Sequence, residues 1–167
     1  MHSVWGAGQM AWTKTVFVFD ADAPIHDEAA AMRRVFERCD FLRDMVATQG
    51  PLDILDHSAP WVGAGTKLGF DCTAKRTGEA WNGVPLGDPT LPSAEETRGA
   101  RMRVLDAVRA GGAAGANARV EFPEVGLGRL AVVQIDKREA GDGARAAQTA
   151  LEALPGEQGA GDLVIVV

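Results

Sequence analysis

Two aspartates, Asp20 and Asp22, directly follow the apolar run Thr15-Val16-Phe17-Val18-Phe19. Open α/β sheets place ligands at the carboxyl ends of their strands, so this pair could hold Mg²⁺ or act as a general base. No third oxygen ligand lies at short spacing, which favours a strand-terminating turn with solvated charge. His57, in ILDHSAP, has Asp53, Asp56 and Ser58 beside it and invites a Ser/His/Asp reading. Triad members normally converge from separate elements, and there is no G-x-S-x-G elbow. A loop histidine bonded to a neighbour is the simpler reading. Gly63-Ala64-Gly65-Thr66-Lys67 lacks both phosphate-loop spacings, so it reads as a tight turn needing positive φ at glycine. Cys39 reads as a core residue with no histidine placed to activate it, and Cys72 falls in a loop. The residues alone assemble no complete catalytic constellation.

The elements that must position these groups are readable. Thr15–Phe19 has the continuous apolar pattern of a strand buried on both faces. A helix follows from an Asp27 N-cap, with Ala29, Met32, Phe36 and Cys39 on one face, and a short strand lies near Met45–Thr48. Strand, helix and strand predict a right-handed βαβ unit. Residues 50–80 read as an ordered loop, too apolar for a disordered linker. Residues 82–92, NGVPLGDPTLP, look like a boundary. Ser93 and Glu96 form a capping box for a helix to about Ala110, with Met102, Leu105 and Val108 inward. GGAAGANA is flexible by composition. Strands at Arg119–Phe122 and Leu130–Ile135, a helix at Asp142–Leu154 (Ala147, Leu151 and Leu154 inward) and a strand at Leu163–Val167 complete a second βαβ block. The fold class is α/β, a mostly parallel or mixed sheet flanked by helices.

The chain has 167 residues, a net charge of −6 and 46% hydrophobic residues. That suits a globular protein of one domain, or one with a small appendage, and argues against disorder. Acidic balance without a Lys/Arg cluster argues against nucleic acid as a partner. No apolar run reaches the ~18–20 residues of a membrane helix, and the N-terminus lacks a secretory pattern. Two cysteines are too few for a disulfide framework, which points to a reduced, cytoplasmic protein.

An internal similarity appears at an offset of 148: TALEALPGEQGAGDLVIVV falls on MHSVWGAGQMAWTKTVFVF. Each copy reads as a helix end, a glycine-containing turn and an apolar strand. The aromatic-rich opening has nothing before it to pack on. The chain therefore reads as a piece of a longer protein.

Several segments, taken in order, resemble one family. HSVWGAGQMAWTK, then VFVFDAD, CDFLRDM, GPLDILDHSAP and GAGTKLGFDCT are similar to the C-terminal domain of UbiD-type decarboxylases, over about residues 1–75. That resemblance implies removal or addition of carboxyl groups on aromatic and α,β-unsaturated acids, with prenylated FMN and a divalent metal as cofactors. Ubiquinone and menaquinone biosynthesis are the family's best-known settings. The cofactor, the metal and a Glu-Arg-Glu catalytic set are implied for an N-terminal domain, with no catalytic or metal residue in these 167. By analogy, Leu52, Ile54, Leu55 and His57 belong to a loop on the substrate side, and the turn of Ala7, Gly8 and Gln9 lies near the flavin. Some relatives carry a lysine contact in that turn, where Ala7 and Gly8 stand here.

The expected organisation is a UbiD-like core over 1–80, a boundary, helix and flexible segment over 81–118, and a strand–helix–strand extension over 119–167. That extension is expected to repeat the first unit or pack on it, its last strand docking on the sheet of residues 15–48. Expected partners are the N-terminal prenylated-FMN domain of the same protein and further copies of the chain. Membrane association is expected only through a lipid-tailed substrate. Two other readings are a non-catalytic assembly module and a small hydrolase built on Asp20, Asp22 and His57.

Overall fold

The β-branched and aromatic run Thr15–Val18 forms strand β1, but Thr15 and Phe17 are exposed and Val16 and Val18 half-buried, so the expected burial on both faces does not hold for this edge strand. Before it come a short helix α1 (His2–Trp5) and a 3-10 turn over Gly8–Trp12. The computed structural model describes residues 1–81, 83–154 and 163–167. Two compact units emerge, Met1–His26 with Arg38–Asp88, and Asp27–Glu37 with Pro89–Val167. The block expected over 1–80 is thus interrupted by most of helix α2 (Glu28–Arg38), which belongs to the second unit. The reason is local: the buried Arg129 guanidinium donates to the Phe36 carbonyl at 2.5 Å, and Arg33 pairs with Glu124.

In the first unit, β1, β2 (Met45–Pro51) and β3 (Ala64–Asp71) form a sheet in the order β1-β3-β2. β1 runs parallel to β3, and β2 antiparallel to it. The βαβ unit expected from β1, α2 and β2 is therefore corrected, since those two strands are not neighbours and run in opposite directions. The central strand comes from the stretch read as a loop. Two glycines in AGTKLGFD argue against a strand by propensity, yet both are required by close approach. A Cβ at Gly65 would lie 2.9 Å from Leu52 Cδ1, and one at Gly69 would lie 3.1 Å from the Trp5 ring. The sheet's other face stacks Phe17 on Phe70, ring centroids 4.9 Å apart. A small antiparallel pair, β4 (Ala80–Trp81) and β5 (Val84–Pro85), follows.

The second unit contains α3 (Ala94–Ala110), β6 (Arg119–Glu121), β7 (Leu130–Gln134), α4 (Asp142–Glu152) and β8 (Leu163–Val166). Its sheet order is β6-β7-β8, with β7 and β8 parallel across α4, the expected βαβ arrangement. Strand β8 joins this sheet and not that of β1, which overturns the docking of the tail onto the sheet of residues 15–48. The internal similarity has a topological counterpart. β1 and β8, 148 residues apart, each lie at a sheet edge, parallel to a central strand whose other neighbour is antiparallel. The turn of the second copy, residues 155–162, lies outside the described residues.

Asp27 caps α2 through the Ala30 amide, and the Ser93/Glu96 capping box is formed. The inward faces are displaced from expectation. Val35 is buried while Met32 is exposed; in α3 the buried residues are Ala100, Val104 and Val108, and in α4 Asp142, Ala146 and Ala150. Small side chains line the buried faces, because α3 and α4 pack on one another and on the sheet through Val104, Val108, Val120, Val133 and Ala150. The larger Met102 and Leu151 are pushed to the rim and exposed. GGAAGANA is not a free linker: the Asp136 amide bonds to Ala114, and a Cβ at Gly115 would strike the Val108 carbonyl.

Candidate functional site

A stripe of alternate residues on β3 organises the first unit. Gly65, Lys67 and Gly69 share one face of the strand, and all three are buried. Pro60 and Leu52 cover Gly65, and Met1 and Trp5 cover Gly69. Between them Lys67, 2% exposed, donates to the carbonyls of Ala11 at 2.6 Å and Thr13 at 2.8 Å. Its ammonium also lies 5.9 Å from the centre of the Trp5 ring. Gly50, on β2, makes room for the lysine stem, since a Cβ there would lie 3.0 Å from Lys67 Cε. Burial pushes the Lys67 pKa down. This side chain fastens the turn that carries residues 7–13 to the sheet.

A second lysine fastens the loop between β2 and β3. Lys14 Nζ donates to Asp56 Oδ2 at 2.8 Å and to Ser58 Oγ at 2.6 Å, while the Ser58 hydroxyl donates to Asp56 Oδ1. Lys14 and Ser58 hold the Asp56 carboxyl down to about 2. The Ser58–Lys14 contact superficially resembles a nucleophile and its base, but an ionised aspartate neutralises the ammonium, and the arrangement acts as a clasp. Leu52 is buried and anchors the loop, with its amide bonded to the Gly63 carbonyl. Ile54, Leu55, His57 and Trp61 are exposed, as are Met10 and Trp12 from the neighbouring turn. Gly63 adopts φ +70°, so the tight turn read over residues 63–67 is confined to Gly63, and Ala64–Lys67 belong to strand β3.

Substituting Asp56→Asn is expected to release this loop while leaving the sheet intact. Amide hydrogen exchange over residues 53–62 should accelerate about tenfold or more, with β3 unchanged. Equal protection in the variant would show that the clasp does not order the loop.

The third cluster joins the start of β2 to the end of β3. Arg43 donates to both oxygens of Asp44 at 2.8 Å, the Asp40 amide donates to Oδ2, and the buried Lys75 ammonium lies 3.4 Å away. Burial alone would push Asp44 up, but Arg43, the Asp40 amide and Lys75 more than offset it and hold the carboxyl below its ordinary range.

Asp20 accepts the Ala74 amide at 2.7 Å, and its carbonyl accepts the Ala23 amide, a strand-terminating turn. Asp22 and His57 are exposed. Among the described residues no hydrogen bond or ion pair joins these three, and no group of three or more His, Cys, Asp or Glu could hold a metal ion. The hydrolase reading has no support from this geometry. Ala7, Gly8 and Gln9 form an exposed turn, with Gly8 at φ +52° and open space around its Cα. The set offers main chain, a methyl and one carboxamide. Both nearby lysines are committed elsewhere, to Asp56 and to main-chain carbonyls. This set has no cation to hold a phosphate and no carboxylate to hold a metal.

Sequence reasoning passed over Lys14, Lys67 and the Arg43–Asp44–Lys75 cluster. The available signal was the period-two stripe Gly65, Lys67, Gly69, which marks a strand face needing two small residues around one long one.

The family of the 3-octaprenyl-4-hydroxybenzoate carboxy-lyase C-terminal domain, UbiD_C, matches residues 1–72. An "Uncharacterized protein" of Archaeoglobus fulgidus is 39% identical over 82 residues, 48% of this chain and 17% of that protein. Another, from Helicobacter pylori, is 37% identical over 76 residues, 45% of this chain and 12% of that protein. The chain therefore spans less than a fifth of these relatives. The solved structure of the UbiD-class enzyme HmfF from Pelotomaculum thermopropionicum, in complex with FMN, is similar at 25% identity and a TM-score of 0.39. That similarity covers 50% of this chain and 20% of HmfF.

Proposed function

We propose, from the match of residues 1–72 to the UbiD C-terminal domain family, that the whole protein is a carboxy-lyase acting on an aromatic or unsaturated carboxylic acid. Its setting would be quinone biosynthesis in the cytoplasm. The cofactor would be prenylated FMN with a divalent metal, held by a preceding N-terminal domain that also carries the catalytic residues. When bound, that flavin supplies an electron sink for the carbon that loses its carboxyl group. This chain's own part is to border the site. The turn of Ala7, Gly8 and Gln9 would approach the flavin, and the clasped loop would present Ile54, Leu55 and His57 to the substrate. Leu52 would hold that loop from beneath.

The observation that carries this reading is the family match, joined to the two lysine fastenings that present both segments on one sheet. The exposed Met10, Trp12, Ile54, Leu55 and Trp61 are the kind of apolar surface that a second domain or a further copy covers. Contact between copies and closure over the cofactor domain are the roles proposed for it. An assembly module without a catalytic partner is the second reading, favoured by the same exposed surface.

The test is reconstitution. The full-length protein loaded with prenylated FMN should release CO₂ from an aromatic or unsaturated acid, whereas residues 1–167 should neither turn over nor retain flavin after gel filtration. Retention of flavin by the 167-residue chain would overturn the placement of the cofactor site. A full-length protein inert on every acid of this class would leave the assembly reading in its place.

A further inference from the structure

The two cysteines are far apart in sequence, and their sulfurs meet in the first unit. Cys39 directly follows α2, and Cys72 directly follows β3. Both are fully buried, at 0% exposure. The fold brings them together in two steps. The Asp44 amide bonds back to the Asp40 carbonyl, turning the chain just after Cys39, and the Asp71 amide bonds to the Asp44 carbonyl, continuing the β2–β3 ladder to the edge of Cys72. The Cys72 amide is itself fixed on the Val18 carbonyl at 2.9 Å. The two thiols are hydrogen-bonded to one another, and this bond with burial pushes the Cys72 thiol up.

We propose that Cys39 and Cys72 form a dithiol site that closes to a disulfide, locking the 39–72 segment that carries the substrate-side loop. The co-reactant is a low-molecular-weight disulfide. One cysteine thiolate attacks it, forming a mixed disulfide and releasing one small thiol. The second cysteine thiolate then displaces the other small thiol. Two protein thiols lose two electrons and two protons in all, and the small disulfide is reduced to two thiols. Both sulfurs are fully buried in the reduced state, so the first attack waits for the segment around Cys39 to open. Once one sulfur is modified, the partner is already beside it, and closure outcompetes a second modification.

The location gives the bond a consequence. It would tie the turn before β2 to the end of β3, spanning the whole β2–loop–β3 hairpin with its Lys14–Asp56–Ser58 clasp. The site stands on these two cysteines alone and does not depend on the proposed carboxy-lyase activity.

The experiment is incubation of the purified chain with oxidised glutathione, followed by intact mass and peptide mapping. The expected product is 2 Da lighter, with a 39–72 cross-linked peptide and little stable glutathione adduct. Its thermal midpoint should rise by about 5–10 °C and return on reduction. Cys72→Ser should instead accumulate a single glutathione adduct at Cys39. Wild-type protein that carries two glutathione adducts and no cross-linked peptide would overturn the proposal. So would wild-type protein in which both thiols stay unmodified under conditions that modify Cys39 in the variant.

Discussion

Lys67→Ala is expected to cost roughly 3–5 kcal/mol and lower the thermal midpoint by about 10 °C. The substitution deletes a stem packed between Gly50 and Trp5 and strips the Ala11 and Thr13 carbonyls of their donor. Relief of the buried ammonium's desolvation offsets part of that cost. Lys67→Met separates the two contributions, because it keeps most of the volume and loses only the charge and its hydrogen bonds. A smaller loss, about 1–3 kcal/mol, is expected there. The pH dependence provides a sharper check. Burial lowers the folded-state pKa of Lys67, so between that value and about 10.5 the unfolded chain binds the extra proton. The stability of the wild type relative to Lys67→Met should therefore rise with pH across that window. Contributions shared by both proteins cancel in the difference, including that of Cys72, whose raised pKa removes stability above about 9. A flat difference in denaturant-unfolding free energy from pH 7 to 10 would refute the desolvated-ammonium account.

Why Lys67 and β3 were illegible in the sequence has a physical answer. Strand propensity penalises glycine, yet propensity is a local quantity, and the glycines of AGTKLGFD answer to Trp5, Leu52 and Pro60, which lie elsewhere in the chain. The same holds for the helix faces. Reading the largest apolar residues as inward puts Met102 and Leu151 in the core, whereas close helix packing selects Ala100, Val104, Ala146 and Ala150. Features set by neighbouring residues were readable, including the Ser93/Glu96 capping box, the Asp27 cap, the turn at Asp20 and the apolar β1 and β8. The order β1-β3-β2 was not, because nothing local says that a later strand will insert between two earlier ones. The candidate site follows the same division. Its exposed loop residues could be named from the motif, and the lysines that hold the loop and turn in place became visible only in three dimensions.

Asp44→Ala should be as damaging as Lys67→Ala, costing about 3–5 kcal/mol. The carboxylate is the meeting point of Arg43, the Asp40 amide and Lys75, and the Lys75 side chain is 3% exposed. Removing it leaves that ammonium buried beside Asp71, whose carbonyl accepts from it at 3.4 Å and whose half-exposed carboxylate lies at 3.6 Å. The acid limb gives the sign. Asp44 titrates below its ordinary range, so its contribution is complete above about pH 4 and is lost as pH falls through the folded-state value. Wild type should lose stability along that limb, and Asp44→Asn, already lacking the charge, should show a shallower slope there. An identical acid slope in the two proteins, followed by urea unfolding between pH 2 and 5, would show that the carboxylate is not held by its partners. The damage should also reach the thiols. Asp44 anchors the turn that closes over Cys39, through its amide on the Asp40 carbonyl and its carboxylate on the Asp40 amide. Loss of the side chain should raise the rate of Cys39 modification by an aromatic disulfide reagent at least tenfold, at temperatures where far-UV circular dichroism remains native. Unchanged thiol reactivity in a folded Asp44→Ala protein would separate the charge cluster from the burial of Cys39, and the opening that admits an oxidant would then have to begin elsewhere.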